Sequence, residues 1–95
     1  MTRPQAISTG LIDTERTRVT RYTFDPGAET GWHVHEYDYV IVAVTDCRML
    51  LEEPGGGTRE ADIAAGDSYV REAGVEHNVV NRGDAAMSFV EVELK

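Results

Sequence analysis

The chain contains three histidines, His33, His35 and His77. Two of them stand at i and i+2 in Gly31-Trp-His-Val-His35. Side chains of an extended strand alternate with a period of two, so this spacing aims both imidazoles to one side. The third follows in a later β-rich run, Val75-Glu-His-Asn-Val-Val-Asn81. An imidazole pair on one strand and a third ring from another make a donor set for zinc or a transition metal. The pairing suits chelation better than acid–base chemistry, in which two histidines would act on two faces of a substrate. Protons compete with metal for imidazole, so metal loss is expected on acidification through about pH 6.

These rings need strands to hold them. The chain offers no convincing helix. Short β-rich runs over 6–12, 18–24, 31–35, 39–45, 48–52, 59–63, 68–71, 77–81 and 87–94 are separated by turn residues, the pattern of a sandwich or barrel. The punctuation is Asp25-Pro-Gly27, Pro54-Gly-Gly-Gly57, Gly66-Asp67, Gly74 and Gly83-Asp84. Glycine supplies positive φ and proline presets φ, so these read as chain reversals. The glycine run at 55–57 reads as a flexible hairpin tip. The run 39–45 is apolar at every position up to Val44 and predicts a strand buried on both sides, inside a sheet or under a partner subunit. The last run alternates, with Val90, Val92 and Leu94 on one side and Glu91 and Glu93 on the other. It reads as a half-exposed strand, or as one whose acidic side faces something polar.

Ninety-five residues make one domain, here 1–95. A chain this short buries only about two-thirds of its unfolded surface, so a second copy would help its stability. Nine Lys and Arg against 17 Asp and Glu give a net charge of -8. Such a surface repels phosphate backbones, which excludes nucleic acid as a natural partner. No basic amphipathic stretch points to a membrane surface, and no run has the length of a signal peptide or a membrane span. The single cysteine, Cys47, has no intrachain partner and reads as a small apolar residue entering a strand. A cytoplasmic protein is expected.

The stretches 27–46 and 66–81 resemble the two motifs of the cupin superfamily. In the first, Gly27, His33 and His35 match. Tyr39 stands where a glutamate is usual, and Asp46 replaces the closing glycine. In the second, Gly66, Gly74, His77 and Asn81 match, and Glu72 replaces a proline. The resemblance implies an all-β fold, a small jelly-roll barrel or sandwich that leaves few exposed sheet edges. It also implies that His33 and His35 meet His77 inside that barrel and hold one divalent metal ion (iron, nickel, manganese or zinc).

The Glu-to-Tyr departure removes the usual carboxylate ligand. A phenol is neutral near pH 7 and is a poor ligand until deprotonated. Asp38 could take that place if the strand bulges there and re-aims one side chain. If the strand is regular, Asp38 points away and Tyr39 faces the site, where it becomes a candidate catalytic residue that hydrogen-bonds a substrate or dioxygen. Asp46 suggests a turn that still tolerates the left-handed region.

Three neutral imidazoles keep the metal's full double charge, which favours an anionic, chelating small molecule such as an enolate, a thiolate or a carboxylate. Such sites resemble those of thiol and diketone dioxygenases. One reading is therefore a small oxygenase-like metalloenzyme. A second is a non-catalytic binding or sensory module. An isomerase or epimerase is a weaker third. Trp32 faces away from the metal by alternation and is assigned to core or dimer packing. Arg21, Arg71 and Glu91 are read as solvated or paired at the rim. Asn81 is read as a structural anchor of its hairpin. A homodimer is expected, because a short N-terminal strand and a doubly apolar sheet both need cover.

Overall fold

A computed structural model describes residues 2–95. Nine strands run in chain order: β1 Ile7–Asp13, β2 Thr17–Phe24, β3 His33–Val34, β4 Asp38–Ala43, β5 Cys47–Glu52, β6 Thr58–Ile63, β7 Ser68–Arg71, β8 Glu76–Asn81 and β9 Met87–Leu94. They form two antiparallel sheets, ordered β1-β2-β9-β4-β7 and β3-β8-β5-β6. This is the jelly-roll sandwich expected, and every predicted strand has its counterpart. The glycine run is a tight turn of 3-10 type over Pro54–Gly56, closed by the Glu53 amide donating to the Gly57 carbonyl at 2.8 Å.

The inner face of the larger sheet changes character row by row. Phe24 lies opposite Met87, and the next row holds Tyr22, Phe89 and Ala43. Then come Thr20, Glu91, Ile41 and Tyr69. The last row holds Arg18, Glu93, Tyr39 and Arg71. One end of the barrel is thus closed by apolar side chains, and Phe89 packs on Tyr22 and Phe24 with ring centroids 5.6 and 5.4 Å apart. The other end is lined by charged and phenolic groups. From the smaller sheet, Cys47, Met49, Leu51 and Val79 complete the core. Cys47 is buried, and its thiol donates to the Thr45 and Ser88 carbonyls, both at 3.4 Å, so it packs as the small residue expected.

Run 39–45 departs from expectation. Tyr39, Ile41 and Ala43 are buried, but Val40 and Val42 are only half-buried and Val44 is exposed. The apolar outer side of β4 belongs to a wider feature. Ile12, Val19, Val92, Val40 and Val70 lie in register across all five strands. By strand spacing this row is roughly 19 Å long. The strand buried on both faces is β8 instead: residues 28–30 pair along its edge, and the N-terminal segment pairs beyond them. Glu29 bridges both Gln5 and Val80. The Asn78 amide donates to Glu29 and Glu52 at 2.8 Å each, and Arg3 pairs with the same two carboxylates at 3.1 and 2.8 Å.

Two turn expectations are settled by backbone angles. Gly31 has φ +88° and Gly74 φ +98°, a region that strains any residue with a Cβ. No residue other than glycine has positive φ among those described, so Asp46 does not use the left-handed region. It serves the turn through its side chain, whose Oδ1 accepts from the Ala65 amide at 2.9 Å.

Candidate metal centre

His33 opens β3 and pairs directly with His77 of β8. His35 lies just beyond β3 in the turn to β4, pinned there by backbone hydrogen bonds with Val75 and Gly74. The three Nε2 atoms converge: His33 to His35 is 3.0 Å, and His35 to His77 is 3.0 Å. Nitrogen ligands about 2.1 Å from one metal stand about 3.0 Å apart when their bonds are at right angles. Each of these edges therefore suits neighbouring positions around one metal, and three protein donors leave further positions free.

The surrounding groups set the rings' orientation. His33 Nδ1 lies 2.9 Å from the Gly31 carbonyl. A donor is needed against that acceptor, so the proton sits on Nδ1 and Nε2 keeps its lone pair for a metal. Gly31 is fixed in turn, since its amide donates to Asn78 Oδ1 at 2.9 Å. His35 stacks on Tyr39 with ring centroids 3.7 Å apart. Its Nδ1 lies 3.8 Å from the Glu91 carboxylate, close enough for electrostatic contact and beyond direct hydrogen-bond length.

Burial governs the charges here. It pushes the His35 imidazole down to about 4 and the His77 imidazole down to about 3, and the neighbouring rings add to both shifts. Both are neutral, metal-ready bases near pH 7. Burial also raises the Glu91 carboxyl to about 7, helped by Glu93. The Tyr39 phenol is raised far above its ordinary value, again mainly by burial. A phenolate at Tyr39 is thus more remote than the sequence alone suggests.

The predicted residues fall as follows. His33, His35 and His77 come together. Tyr39 lies beside them, buried, with a hydroxyl that has no hydrogen-bond partner among the described residues. Asp38 does not join them. The register from Asp38 to Ala43 is unbroken against β9, so the bulge that would turn Asp38 inward is not formed. Asp38 is exposed, and its carboxylate accepts from the Ala73 amide at 2.8 Å. Trp32 is 55% exposed and takes no part in the core. Arg21 is exposed, as expected of a rim residue. Glu91 was expected there too, but it is 6% exposed and lines the cavity beside the histidines. Glu91 and Glu93 form a second close group with His35. Asn81 is the anchor expected, donating to the Phe24, Asp25 and Ala85 carbonyls.

The cavity next to the trio has Ile41, Met49, Val79 and Phe89 on its apolar side and Tyr39, Tyr69, His77 and Glu91 on its polar side. It is narrow, with room for about one water molecule.

Two facing sheets with histidines from two hairpins meeting between them define a cupin. The chain belongs to the cupin domain family, whose model matches residues 20–93. It is 50% identical over 93 residues to the beta-alanine degradation protein BauB of Pseudomonas aeruginosa, a match that covers 98% of this chain and 97% of that one. The crystal structure of a cupin domain from Bordetella pertussis Tohama I superposes with a TM-score of 0.94 at 50% identity, over 100% of this chain and 98% of the other. A Klebsiella pneumoniae protein with a double-stranded β-helix domain matches at TM-score 0.77 and 21% identity, over 99% of this chain and 80% of that one, and speaks for the fold alone.

Proposed function

We propose that this cupin holds one divalent metal ion on His33, His35 and His77 and acts on a small anionic chelating molecule in an oxygenase-type reaction. The convergence of three imidazoles, with His35 Nε2 lying 3.0 Å from the Nε2 of each of the other two, carries the reading. A bound metal supplies Lewis acidity and free coordination positions at that point. The chain supplies the rest. Gly31 and Asn78 fix the His33 ring, Tyr39 and Glu91 flank His35, and the apolar wall excludes water. Tyr39 offers its unpaired hydroxyl to a bound molecule. A narrow cavity favours a molecule of few atoms. The name of the Pseudomonas relative places that protein in the breakdown of β-alanine, a three-carbon amino acid with an ionised carboxylate, which agrees with a small carboxylate-bearing substrate.

The test begins with metal uptake. Chelator-treated protein is expected to take up one equivalent of iron, nickel, manganese or zinc, and to lose this ability on His33→Ala, His35→Ala or His77→Ala. Absence of uptake at neutral pH overturns the metal reading. Oxygen consumption by the iron-loaded protein, measured against thiols and β-dicarbonyls, then separates enzyme from binder. Binding without turnover would favour the second reading, a ligand-binding module, for which the tight cavity is the supporting observation.

We also infer that a second copy covers the outer row Ile12, Val19, Val92, Val40 and Val70, giving a homodimer. Ile12 and Val70 are 51% and 66% exposed, an unusual amount of aliphatic surface for so acidic a chain. Among the described residues no helix is long and apolar enough to cross a membrane. The unpaired thiol of Cys47 agrees with a reducing, cytoplasmic compartment.

A further inference from the structure

We propose that Arg3 and Asn78 are positioning residues for the metal ligand His33, so that docking of the N-terminal segment against the smaller sheet sets the metal site. The inference rests on the metal reading above. It extends that reading to side chains outside the cavity, on the outer face of the sheet.

The placement follows from register. His77 points into the barrel, so alternation sends Asn78 to the outer face of β8. Glu52 lies opposite Asn78, and Glu29 lies opposite Val80 two residues further on, so all three polar side chains leave one face. They close a ring with Arg3. The Asn78 amide nitrogen donates to Oε1 of Glu29 and Oε1 of Glu52 at 2.8 Å each, and Arg3 Nη1 donates to the same two oxygens at 3.1 and 2.8 Å. Two carboxylates converging on one amide repel each other, and the guanidinium offsets that repulsion. Arg3 accordingly holds the Glu52 carboxyl below its ordinary value, with Asn78 as the second cause. Backbone pairing delivers Arg3 to this place. The Glu29 amide donates to the Pro4 carbonyl at 2.9 Å, the Ala6 amide to the Glu29 carbonyl at 2.8 Å, and the Gln5 side chain to the Thr30 carbonyl at 2.8 Å.

The ring decides which way the Asn78 amide faces. With its NH2 turned to two carboxylates, its Oδ1 is turned to the Gly31 amide, which donates to it at 2.9 Å. The flipped amide would set an NH2 against an N–H and an oxygen against two carboxylates. Gly31 sits at φ +88°, and its carbonyl receives His33 Nδ1 at 2.9 Å. Thr30 holds that carbonyl from β8 as well, since its hydroxyl accepts from the Val79 amide at 3.1 Å and donates to the Gly31 carbonyl at 2.9 Å. The His33 proton is thereby kept on Nδ1, and Nε2 is left for the metal. Without Arg3 the two carboxylates move apart, the Asn78 amide loses its single orientation, and Gly31 loses its hold. The effect is specific to one ring. Val75 and Gly74 pin His35, and the strand pairing of β8 places His77.

Nuclear magnetic resonance of metal-free protein, with histidine labelled at both ring nitrogens, reads the proton position on each ring, and His33→Ala assigns the His33 signals. Cobalt titration of the same variants reads metal affinity. The unsubstituted protein is expected to carry the His33 proton on Nδ1. Asn78→Ala should turn His33 into a mixture of both tautomers and weaken cobalt by about tenfold or more. Arg3→Met should act in the same direction by about two- to fivefold, since its side chain is 39% exposed and its charge is partly screened. Arg3→Lys keeps the charge without the fork and should restore part of the loss. His35 and His77 should keep their tautomers throughout. Arg82→Met breaks an ion pair with Asp62 that leads to no histidine, and should leave His33 and cobalt affinity as they were. Should Asn78→Ala not fold, Arg3→Met carries the test from the surface. An Arg3→Met protein whose His33 proton and cobalt affinity match the parent overturns the proposal, even if its stability falls. So does an Arg82→Met protein that disturbs His33 equally. A protein that takes up no cobalt overturns the metal reading, while the His33 proton still reports whether Arg3 and Asn78 orient that ring.

Discussion

The two ends of the barrel are built from the same strands yet obey opposite rules. At the closed end, the inward positions of β2, β4 and β9 are Phe24, Ala43, Met87 and Phe89. Past the row of Tyr22, Phe89 and Ala43 the inward positions become Thr20, Glu91 and Ile41, and two residues further along each strand they become Arg18, Glu93 and Tyr39. Across the sheet from this polar half, the outer face carries the aliphatic row through Val19, Val92 and Val40. The mouth half of the larger sheet is thus turned inside out relative to an ordinary sandwich strand. Burying carboxylates stabilises nothing by itself. Their presence in the wall marks the half of the barrel that serves a site, while the closed half supplies the stability that holds it.

This contrast is sharpest when one residue from each end is removed. His77→Ala is expected to abolish stoichiometric metal uptake while leaving a folded protein, because the ring belongs to the polar half. Phe89→Ala is expected to cost about 3–5 kcal/mol of stability, since it empties the apolar stack with Tyr22 and Phe24. Its surviving folded fraction should bind metal normally. Metal titration and urea unfolding of both variants check the pair. Equal losses of metal in both would erase the distinction between the ends.

Much of this division was legible in the sequence. The spacing of His33 and His35 and the match of His77 to the second motif placed the trio, although β3 ends at Val34 and a turn delivers His35. The alternation of Glu91 and Glu93 with Val90 and Val92 was visible as well. Which side faced inward was not, because side-chain parity within a strand is local and the face a sheet turns to its core is a tertiary choice. The aliphatic β4 run misled for the same reason. Its outer side is apolar because it contributes to an exposed row, and nothing within the run distinguishes that from burial. The hold of Gly31 and Asn78 on His33 left no sequence signal beyond a glycine and an asparagine.

Glu91 tests whether the polar wall works through the ligands. Removing a carboxylate behind a ligating histidine ordinarily costs 10- to 100-fold in metal affinity, roughly. The 3.8 Å contact to His35 Nδ1 is long, so Glu91→Gln should fall near the low end, about tenfold. Competition with a chromophoric chelator measures it. An unchanged affinity would make Glu91 a mere lining residue.

Acid should separate the ends by stability rather than by binding. His35 and His77 sit at about 4 and about 3 when folded, against an ordinary 6.5. Their contribution is complete above pH 6.5 and is lost as pH falls through those folded values. Glu91 has the opposite sign: raised from 4.5 to about 7, its contribution is complete below pH 4.5 and is lost as pH rises through about 7. Between pH 6.5 and 4.5 two histidines oppose one carboxyl, so metal-free protein should unfold at lower urea as pH falls. Glu91→Gln should steepen that fall by removing the opposing contribution. The same depression of the imidazoles moves proton competition at His35 and His77 below the pH 6 region expected of free histidine.

The smallest expected effect is the most discriminating. Tyr39 is 1% exposed, and its hydroxyl finds no partner among the described residues. A buried hydroxyl without a partner destabilises by about 1–3 kcal/mol relative to one that is paired. Tyr39→Phe removes that penalty and keeps the ring stacked on His35, so the variant should be as stable as the parent or more so by up to about 1 kcal/mol. Metal affinity should not move, because the ring and not the hydroxyl contacts His35. A bound small molecule that accepts the hydroxyl's proton should lose affinity by several-fold. Stability gained with ligand affinity lost is the signature of a group kept for binding. If stability instead falls and the ligand is held as before, the hydroxyl is satisfied by water within the wall, and Tyr39 belongs with the closed end of the barrel after all.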